Sequence, residues 1–236
     1  MSIAENIAVI RANIAAAAQS CGRDPKSILL CAATKMNSAD AVRQAIAGGV
    51  DLCGENRVQE LTQKLSENAY AGAPVHFIGH LQTNKVKAVV GKVDMIQSVD
   101  SLRLLEAIEK EAARQGIRQD VLLEVNIGAE ESKSGFAPAE ISGLVENFAN
   151  YPHICLRGLM AIPPISEKAG DNDKFFQEMY NLSVDITAKK GDNVWVDTLS
   201  MGMSDDYADA IRCGSTMIRI GTAIFGARNY TKPHQK

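Results

Sequence analysis

Short apolar runs alternate with longer segments of helical periodicity along almost the whole chain. We predict the apolar runs to be β-strands, at 28–34, 51–55, 75–79, 95–99, 121–127, 156–162, 198–202 and 217–225. The segments between them predict helices at 39–47, 58–67, 84–90, 102–115, 138–149, 174–189 and 207–212. Because apolar residues fill most positions of each run, the strands are typical of a parallel sheet that is covered by helices.

The alternation of strand and helix over eight predicted strands favours a closed (β/α)8 barrel of the TIM type. A doubly wound open sheet usually has fewer strands and often a glycine-rich first turn, so it fits this pattern less well. An extra N-terminal amphipathic helix is predicted from apolar residues at helical spacing: Ile3, Ile7, Val9, Ile10 and Ile14. No linker interrupts the pattern, and we therefore expect a single domain over residues 1–236.

The composition changes this picture little, but it excludes several classes of protein. With 46% hydrophobic residues, 22% charged residues and a net charge of −3, the chain is ordinary for a globular protein and lacks the basic character of a nucleic-acid-binding protein. We find no apolar run that could span a bilayer and no signal peptide. The five cysteines form no CxxC pair. We therefore expect neither disulfides nor a metal site, and a cytoplasmic location.

Polar residues follow almost every predicted strand, at the end where (β/α)8 barrels carry their active sites. Lys35 follows the first strand, Asn56 follows the second, and Glu124 lies near the end of the fifth. An isolated lysine after a strand is most often a solvated loop residue, so Lys35 alone indicates little. His76 and His80 share a strand face, but no nearby cysteine or carboxylate completes a metal site, and we expect them to be structural.

Two features of the last strands are harder to explain by packing alone. Arg219 lies inside an otherwise apolar strand, where an unpaired buried charge would be costly. Small or hydroxyl-bearing residues end the last two strands, among them Ser200, Gly221 and Thr222. Barrels often bind phosphate at this place, because small residues let backbone N–H groups approach an anion. These residues predict a phosphate site that is held mainly by neutral donors.

Seven motifs occur in order across nearly the whole chain. They read ATK at 33–35, GEN at 54–56, HFIGHLQTNK at 76–85, SKSG at 132–135, RGLMAI at 157–162, SMGMSDD at 200–206 and RIGTAIFG at 219–226. In this order they resemble the YggS/PROSC family of pyridoxal 5′-phosphate (PLP) homeostasis proteins. The resemblance implies the barrel of the N-terminal domain of alanine racemase. Cys53 and His80 depart from residues that are common in the family, but neither has an inferred role in cofactor binding.

The resemblance also implies a cofactor, PLP, and the residues that hold it. These are Lys35, Asn56, Ser200, Met203, Arg219, Gly221 and Thr222. Lys35 is implied as the lysine that forms a Schiff base with PLP, and Arg219 as the group that faces the pyridine nitrogen. The serine, the glycine and the threonine are implied as phosphate-binding residues, while the asparagine and the methionine line the pocket.

Two functions remain open at this point. The first is a PLP-binding protein of vitamin B6 homeostasis and amino-acid balance, which we expect to be monomeric, with apo PLP-dependent enzymes as recipients. The alternative is a small PLP-dependent amino-acid racemase. Barrel racemases take a second acid–base group from another domain, and this sequence ends shortly after Phe225, which favours the first function. Arg219 favours it too, because a guanidinium can only donate to the pyridine nitrogen.

A third possibility is a phosphate-binding barrel enzyme that uses no PLP. In that case Lys35 would be an ordinary solvent-exposed lysine or would form a Schiff base with another carbonyl compound. The light absorption of the purified protein distinguishes this possibility from the other two, since bound PLP makes a protein yellow.

Overall fold

Eight parallel strands form a closed barrel in the computed structural model, which describes residues 1–130, 133–165, 168–189 and 191–226. The strands are β1 (Leu29–Ala33), β2 (Leu52–Glu55), β3 (Val75–Phe77), β4 (Met95–Val99), β5 (Gln119–Val125), β6 (Ile154–Ala161), β7 (Val194–Ser200) and β8 (Met217–Ile220). Each strand pairs with the next one along the chain, and β8 closes the barrel by pairing with β1. The predicted (β/α)8 barrel is confirmed.

Helices cover the outside of the barrel. The α-helices are α1 (Ile3–Ser20), α2 (Ala39–Ala47), α3 (Val58–Ser66), α4 (Leu102–Gln115), α5 (Pro138–Glu146), α6 (Asp173–Thr187), α7 (Tyr207–Arg212) and α8 (Thr222–Phe225). Short 3-10 helices lie at Pro25–Ser27, Thr83–Ala88 and Phe148–Asn150. The α-helix predicted at 84–90 is therefore wrong in type, and the helix predicted at 138–149 is divided into α5 and a 3-10 turn.

Several helix ends follow directly from local sequence. The side chain of Ser2 accepts a hydrogen bond from the backbone of Glu5, and Ser38 and Ser101 begin α2 and α4 in the same way. Such caps satisfy an N–H group that has no partner within the helix. Gly116 ends α4 in the left-handed conformation, with φ of 66°, which glycine adopts without strain.

The N-terminal helix has a structural role that the sequence pattern did not predict. α8 has only four residues, so it cannot cover the outer faces of β8 and β1. Instead Ile7, Ile10 and Ile14 of α1 are buried in one cluster with residues of those two strands. Thus α1 takes the place of an eighth outer helix. Val9, which the prediction included in the apolar face, is 48% exposed and lies outside this contact.

The largest differences from the predicted strand boundaries are at the start of β7 and the end of β8. β7 begins at Val194 rather than at residue 198, and its first half alternates between partly buried and exposed residues. β8 ends at Ile220 rather than at residue 225, because the chain turns into α8 at Gly221. Of the helices in the described ranges, none combines the length and the apolar character that a membrane crossing needs.

Candidate functional site

The predicted site residues gather at the mouth of the barrel, by which we mean the C-terminal ends of its strands. β1 and β8 are neighbours, and Cys31 is paired in register with Arg219. Lys35 follows β1 in a turn in which the backbone of Asn37 donates to the carbonyl of Thr34, at 3.1 Å. The side chain of Lys35 is half-buried. The first and last strands therefore bring the lysine and the arginine to the same end of the barrel.

Arg219 is a buried cation, with 5% of its surface exposed. Its Nη1 donates to Ser200 Oγ at 2.6 Å, and its Nη2 donates to the carbonyl of Ala161 at 2.9 Å. In the described part of the chain it forms no ion pair with a carboxylate. Burial lowers the pKa of this guanidinium, as expected for a charge that is taken out of water. The partner that a buried arginine requires is thus supplied by neutral oxygens.

A chain of hydrogen bonds continues from Arg219 into the barrel. Ser200 is fully buried, and its hydroxyl donates to Gln97 Oε1 at 2.7 Å. The amide of Gln97 lies 2.8 Å from Nδ1 of His76. Burial lowers the pKa of His76 to about 4, so its ring is neutral and accepts at Nδ1. A direct bond from Ser200 to a phosphate would require its hydroxyl to leave Gln97, and the predicted phosphate role of Ser200 stays a prediction.

Gly221 and Thr222 lie where β8 turns into α8. The carbonyl of Gly221 accepts from the backbone N–H groups of Ile224 and Phe225, both at 3.0 Å, which ends the strand and begins the helix. A β-carbon added to Gly221 would lie 3.5 Å from that of Ala33, so the position is close to β1. Thr222 is exposed. Because the first N–H groups of a helix have no acceptor within it, this turn presents donors at the mouth.

Met203 lies on the rim of the mouth, in the connection between β7 and α7. Its side chain is partly exposed, and its backbone N–H donates to Asp206 Oδ1 at 2.7 Å. Gly202 precedes it with φ of 95°, and a β-carbon there would approach that of Ala210 to 2.6 Å. Glycine is required at this position, since it allows α7 to pack directly beneath the loop that carries Met203.

A cavity of about 300 Å³ opens at the mouth on the side of β2 to β5. Asn56, Glu124 and Lys133 line it, and Asn56 Oδ1 is buried there without a hydrogen-bond partner among the residues that the structure describes. Burial raises the pKa of Glu124 to about 7, and the Asp100 carboxylate acts in the same direction. The Nδ1 atom of His80 lies 3.0 Å from Asp100 Oδ2. The SKSG motif reaches this cavity at Lys133, whereas its first residue, Ser132, lies outside the described residues.

The sequence did not identify Gln97 as part of this site, whereas it did indicate Glu124 as a polar residue near the end of the fifth strand. A polar residue inside an apolar strand is the signal that could have identified Gln97, as it did for Arg219. A second cavity, of about 530 Å³, lies at the opposite end of the barrel. Arg157 pairs there with Asp120 and Asp197, far from the predicted site residues.

Comparison with known proteins decides the family. The model of the alanine racemase N-terminal domain matches residues 6–229. A protein of Pasteurella multocida (strain Pm70) is 41% identical over 98% of this chain and 100% of its own length, and one of Escherichia coli (strain K12) is 42% identical over 98% of both chains. Both are named pyridoxal phosphate homeostasis protein. This chain belongs to that family.

Solved structures of this family have the same barrel. PipY of Synechococcus elongatus PCC7942, solved with PLP bound, has a TM-score of 0.81 and 31% identity, and the match covers 95% of this chain and 100% of that one. The same protein without PLP matches with a TM-score of 0.84 and 32% identity. An alanine racemase of Clostridium difficile 630, with 15% identity and a TM-score of 0.67, shares the fold. The family resemblance seen in the seven motifs is confirmed.

Proposed function

We propose that this protein binds PLP at the barrel mouth, as a Schiff base on Lys35, and that it serves intracellular PLP homeostasis and amino-acid balance. One observation carries the proposal: a buried arginine that pairs with no carboxylate of the described residues lies beside the strand that presents Lys35. The related protein PipY, whose structure was solved with PLP bound, supports it. So do the relatives that are named pyridoxal phosphate homeostasis protein.

The residues at the mouth fit the chemistry of PLP. Its phosphate needs hydrogen-bond donors, and the turn at Gly221 and Thr222 offers backbone N–H groups and an exposed hydroxyl. Its ring carries polar substituents, and Asn56 Oδ1 is a buried acceptor that has no hydrogen-bond partner in the described part of the chain. Its aldehyde needs an amine, which Lys35 carries. Met203, on the rim, would complete the pocket wall.

When bound, PLP supplies an aldehyde and a ring that withdraws electrons. Arg219 would limit that withdrawal by facing the pyridine nitrogen, because a guanidinium keeps its protons and can only donate a hydrogen bond. The nitrogen would then accept that hydrogen bond and carry no proton. Ser200 and Ala161 hold the guanidinium in place, each by one hydrogen bond. This arrangement favours holding the cofactor over activating it, and supports a binding protein.

The alternative function, a small PLP-dependent amino-acid racemase, has one observation in its favour. A carboxyl group with a pKa of about 7, such as Glu124, can both donate and accept a proton near neutral pH. The two functions are distinguished by α-proton exchange and by interconversion of the enantiomers of alanine and serine. We expect neither reaction at a useful rate. Turnover of about 1 per second or more, within the usual range of enzymes, would establish the racemase instead.

The test of the cofactor assignment is chemical. Lys35 Nζ forms a C=N bond with the aldehyde carbon as one water leaves, and borohydride then adds hydride to that bond and gives a stable secondary amine. Peptide mass mapping should find the pyridoxyl group on Lys35. Lys35→Ala should lose it, while Lys85→Ala, at an exposed position, should keep it. A label mainly on Lys85 or Lys133 would contradict the assignment.

We further propose that the protein acts as a monomer in the cytoplasm and passes PLP to apo forms of PLP-dependent enzymes. The absence of a nucleic-acid-like basic composition agrees with a small-molecule role, since the net charge is −3. Light scattering during size-exclusion chromatography measures the oligomeric state. Transfer is measured as the recovery of enzyme activity by an apoenzyme. In one arm a dialysis membrane separates the apoenzyme from the PLP-loaded protein, and in the other arm the two are mixed directly. Faster recovery on direct mixing supports transfer between proteins.

A further inference from the structure

A buried ion pair lies directly beneath the turn that carries Lys35. It joins Glu55, the last residue of β2, to Lys64 in α3, with 2.6 Å between Oε2 and Nζ. Only 4% of the surface of Lys64 is exposed, and Glu55 is fully buried. Such a pair is an expensive feature of a protein interior, because both charges lose their hydration. Its contacts show what it holds in place.

The ammonium group of Lys64 supports the backbone both before and after Lys35. It donates to the carbonyl of Thr34 at 2.7 Å, one residue before Lys35. It also donates at 3.2 Å to Glu60 Oε2, and the same oxygen accepts the backbone N–H of Met36 at 2.6 Å, one residue after Lys35. Lys64 therefore supports the two peptide groups that flank Lys35, one directly and the other through Glu60.

The backbone of this turn needs such support. Met36 has φ of 61°, in the left-handed region that side chains other than glycine, asparagine and aspartate rarely adopt. Residues held in sparsely populated conformations of this kind persist only where surrounding contacts fix them. The turn is closed by the bond from Asn37 to Thr34, and it is anchored from below by Lys64 and Glu60. Without the anchor, Met36 would relax to an ordinary φ and Lys35 would change direction.

Glu55 extends the same support to the second strand end. Its Oε1 accepts the backbone N–H of Asn56 at 2.7 Å, and its Oε2 accepts the hydroxyls of Thr34 at 3.0 Å and Tyr70 at 3.3 Å. Burial raises the pKa of Tyr70, and the Glu55 carboxylate acts in the same direction. The hydroxyl thus stays protonated and keeps donating. One carboxylate connects the turn of Lys35 with the backbone of Asn56.

We propose that Lys64 and Glu55 are positioning residues that aim Lys35 at the aldehyde of the cofactor. This inference rests on the proposed function. A purely structural role would not explain the arrangement, because apolar side chains of similar volume often stabilise a core as well as a buried ion pair does. Polar groups are needed here since the atoms they hold are backbone N–H and C=O groups of the turn. Lys64 acts through the backbone of the turn, which its ammonium group contacts at the carbonyl of Thr34.

The experiment separates covalent attachment from the binding of phosphate and ring. PLP forms the Schiff base, whereas pyridoxine 5′-phosphate has the same ring and phosphate but no aldehyde. For Lys64→Met we expect the apparent affinity for PLP, read from the absorbance of the Schiff base before borohydride is added to verify the site, to fall about 10- to 150-fold, as for loss of one charge-assisted hydrogen bond. The dissociation constant of pyridoxine 5′-phosphate should change less than about twofold, which is within about 0.4 kcal/mol.

Two further variants are a matched control and a second test of the same network. Gln119→Met is the matched control, since Gln119 is buried and donates to backbone carbonyls at the opposite end of the barrel. It should bind both ligands like the parent. Glu60→Gln alters the more accessible end of the network and should fold even where Lys64→Met does not. In the ligand-free protein, Glu60→Gln should speed hydrogen exchange of the Met36 N–H, and it should lower PLP trapping in the same direction as Lys64→Met.

The outcomes are distinct. If Lys64→Met and Glu60→Gln trap PLP like the parent, or if PLP and pyridoxine 5′-phosphate weaken equally, the positioning role is overturned. If the parent protein itself traps no PLP at Lys35, the proposed function fails, and the inference fails with it. Loss of PLP trapping with retained binding of pyridoxine 5′-phosphate supports both.

Discussion

Replacing Glu124 by glutamine should stabilise the ligand-free protein at alkaline pH. Glu124 lies near the end of β5 and lines the cavity at the mouth. Burial raises the pKa of its carboxyl from 4.5 to about 7, the Asp100 carboxylate adds to this effect, and Arg219 opposes it. The folded protein thus disfavours the carboxylate form. Glutamine avoids this cost, because its amide stays neutral at every pH.

The direction and size of the effect follow from the two pKa values. The unfolded chain releases the proton of Glu124 near pH 4.5, and the folded protein keeps it up to about pH 7. Between these values the folded state binds more protons, so its stability falls as the pH rises, and the loss is complete above pH 7. One pKa unit corresponds to about 1.4 kcal/mol, so the loss amounts to about 3 kcal/mol at most.

Calorimetric unfolding of the two proteins from pH 5 to pH 8.5 measures this difference. For a chain of this size, about 3 kcal/mol corresponds to a Tm higher by about 6–12 °C for Glu124→Gln at pH 8, with a small difference at pH 5. Glu178→Gln, at an exposed position of α6, is the control and should match the parent at each pH. A gain for Glu124→Gln that does not depend on pH, or a loss at pH 8, would refute the reasoning.

Other substitutions test the remaining parts of the structure. Thr222→Val removes an exposed hydroxyl at nearly constant shape, and should weaken PLP binding in an equilibrium titration about 10- to 150-fold if that hydroxyl binds the phosphate. Gln97→Leu leaves the buried hydroxyl of Ser200 without its acceptor, and should lower the free energy of unfolding by about 1–3 kcal/mol in urea titrations. Ile10→Ala uncovers the strands beneath α1 and should cost about 2–5 kcal/mol, whereas the neighbouring Val9→Ala should stay within about 0.5 kcal/mol.

Hydrophobic pattern located all eight strands, but it misplaced the start of the seventh and the end of the eighth. The first half of the seventh strand, from Val194, is at most partly buried on one side and contains the exposed Trp195 and Asp197. A search for apolar runs finds only the second half of such a strand. The eighth strand was extended too far for the opposite reason. The apolar residues after Gly221 belong to α8, and a short helix cannot be told from a strand by composition.

The predicted site residues are those at strand ends. The topology of a parallel barrel brings these ends together, however the individual side chains pack. Lys35 follows β1 and Arg219 lies in β8, and barrel closure places these strands side by side although they are far apart in sequence. The residues that orient them could not be predicted in this way. Lys64 reaches the turn of Lys35 from α3, and Gln97 reaches Ser200 across the barrel interior. Such contacts depend on how helices lie on the barrel and on which strand face points inward.

The chain of hydrogen bonds inside the barrel gives a physical reason for an anion at its mouth. Arg219 donates to Ser200, and Ser200 donates to Gln97, so the negative ends of two dipoles point toward the cation. Dipoles lower the cost of burying the charge, but they do not cancel it. Because the pKa of Glu124 is about 7, its carboxyl is only partly charged at neutral pH. The charge of Arg219 is therefore only partly compensated by its neighbours in the described residues. A carboxylate paired directly with Arg219 would compete with a phosphorylated ligand at the mouth, and the neutral partners of Arg219 avoid this competition.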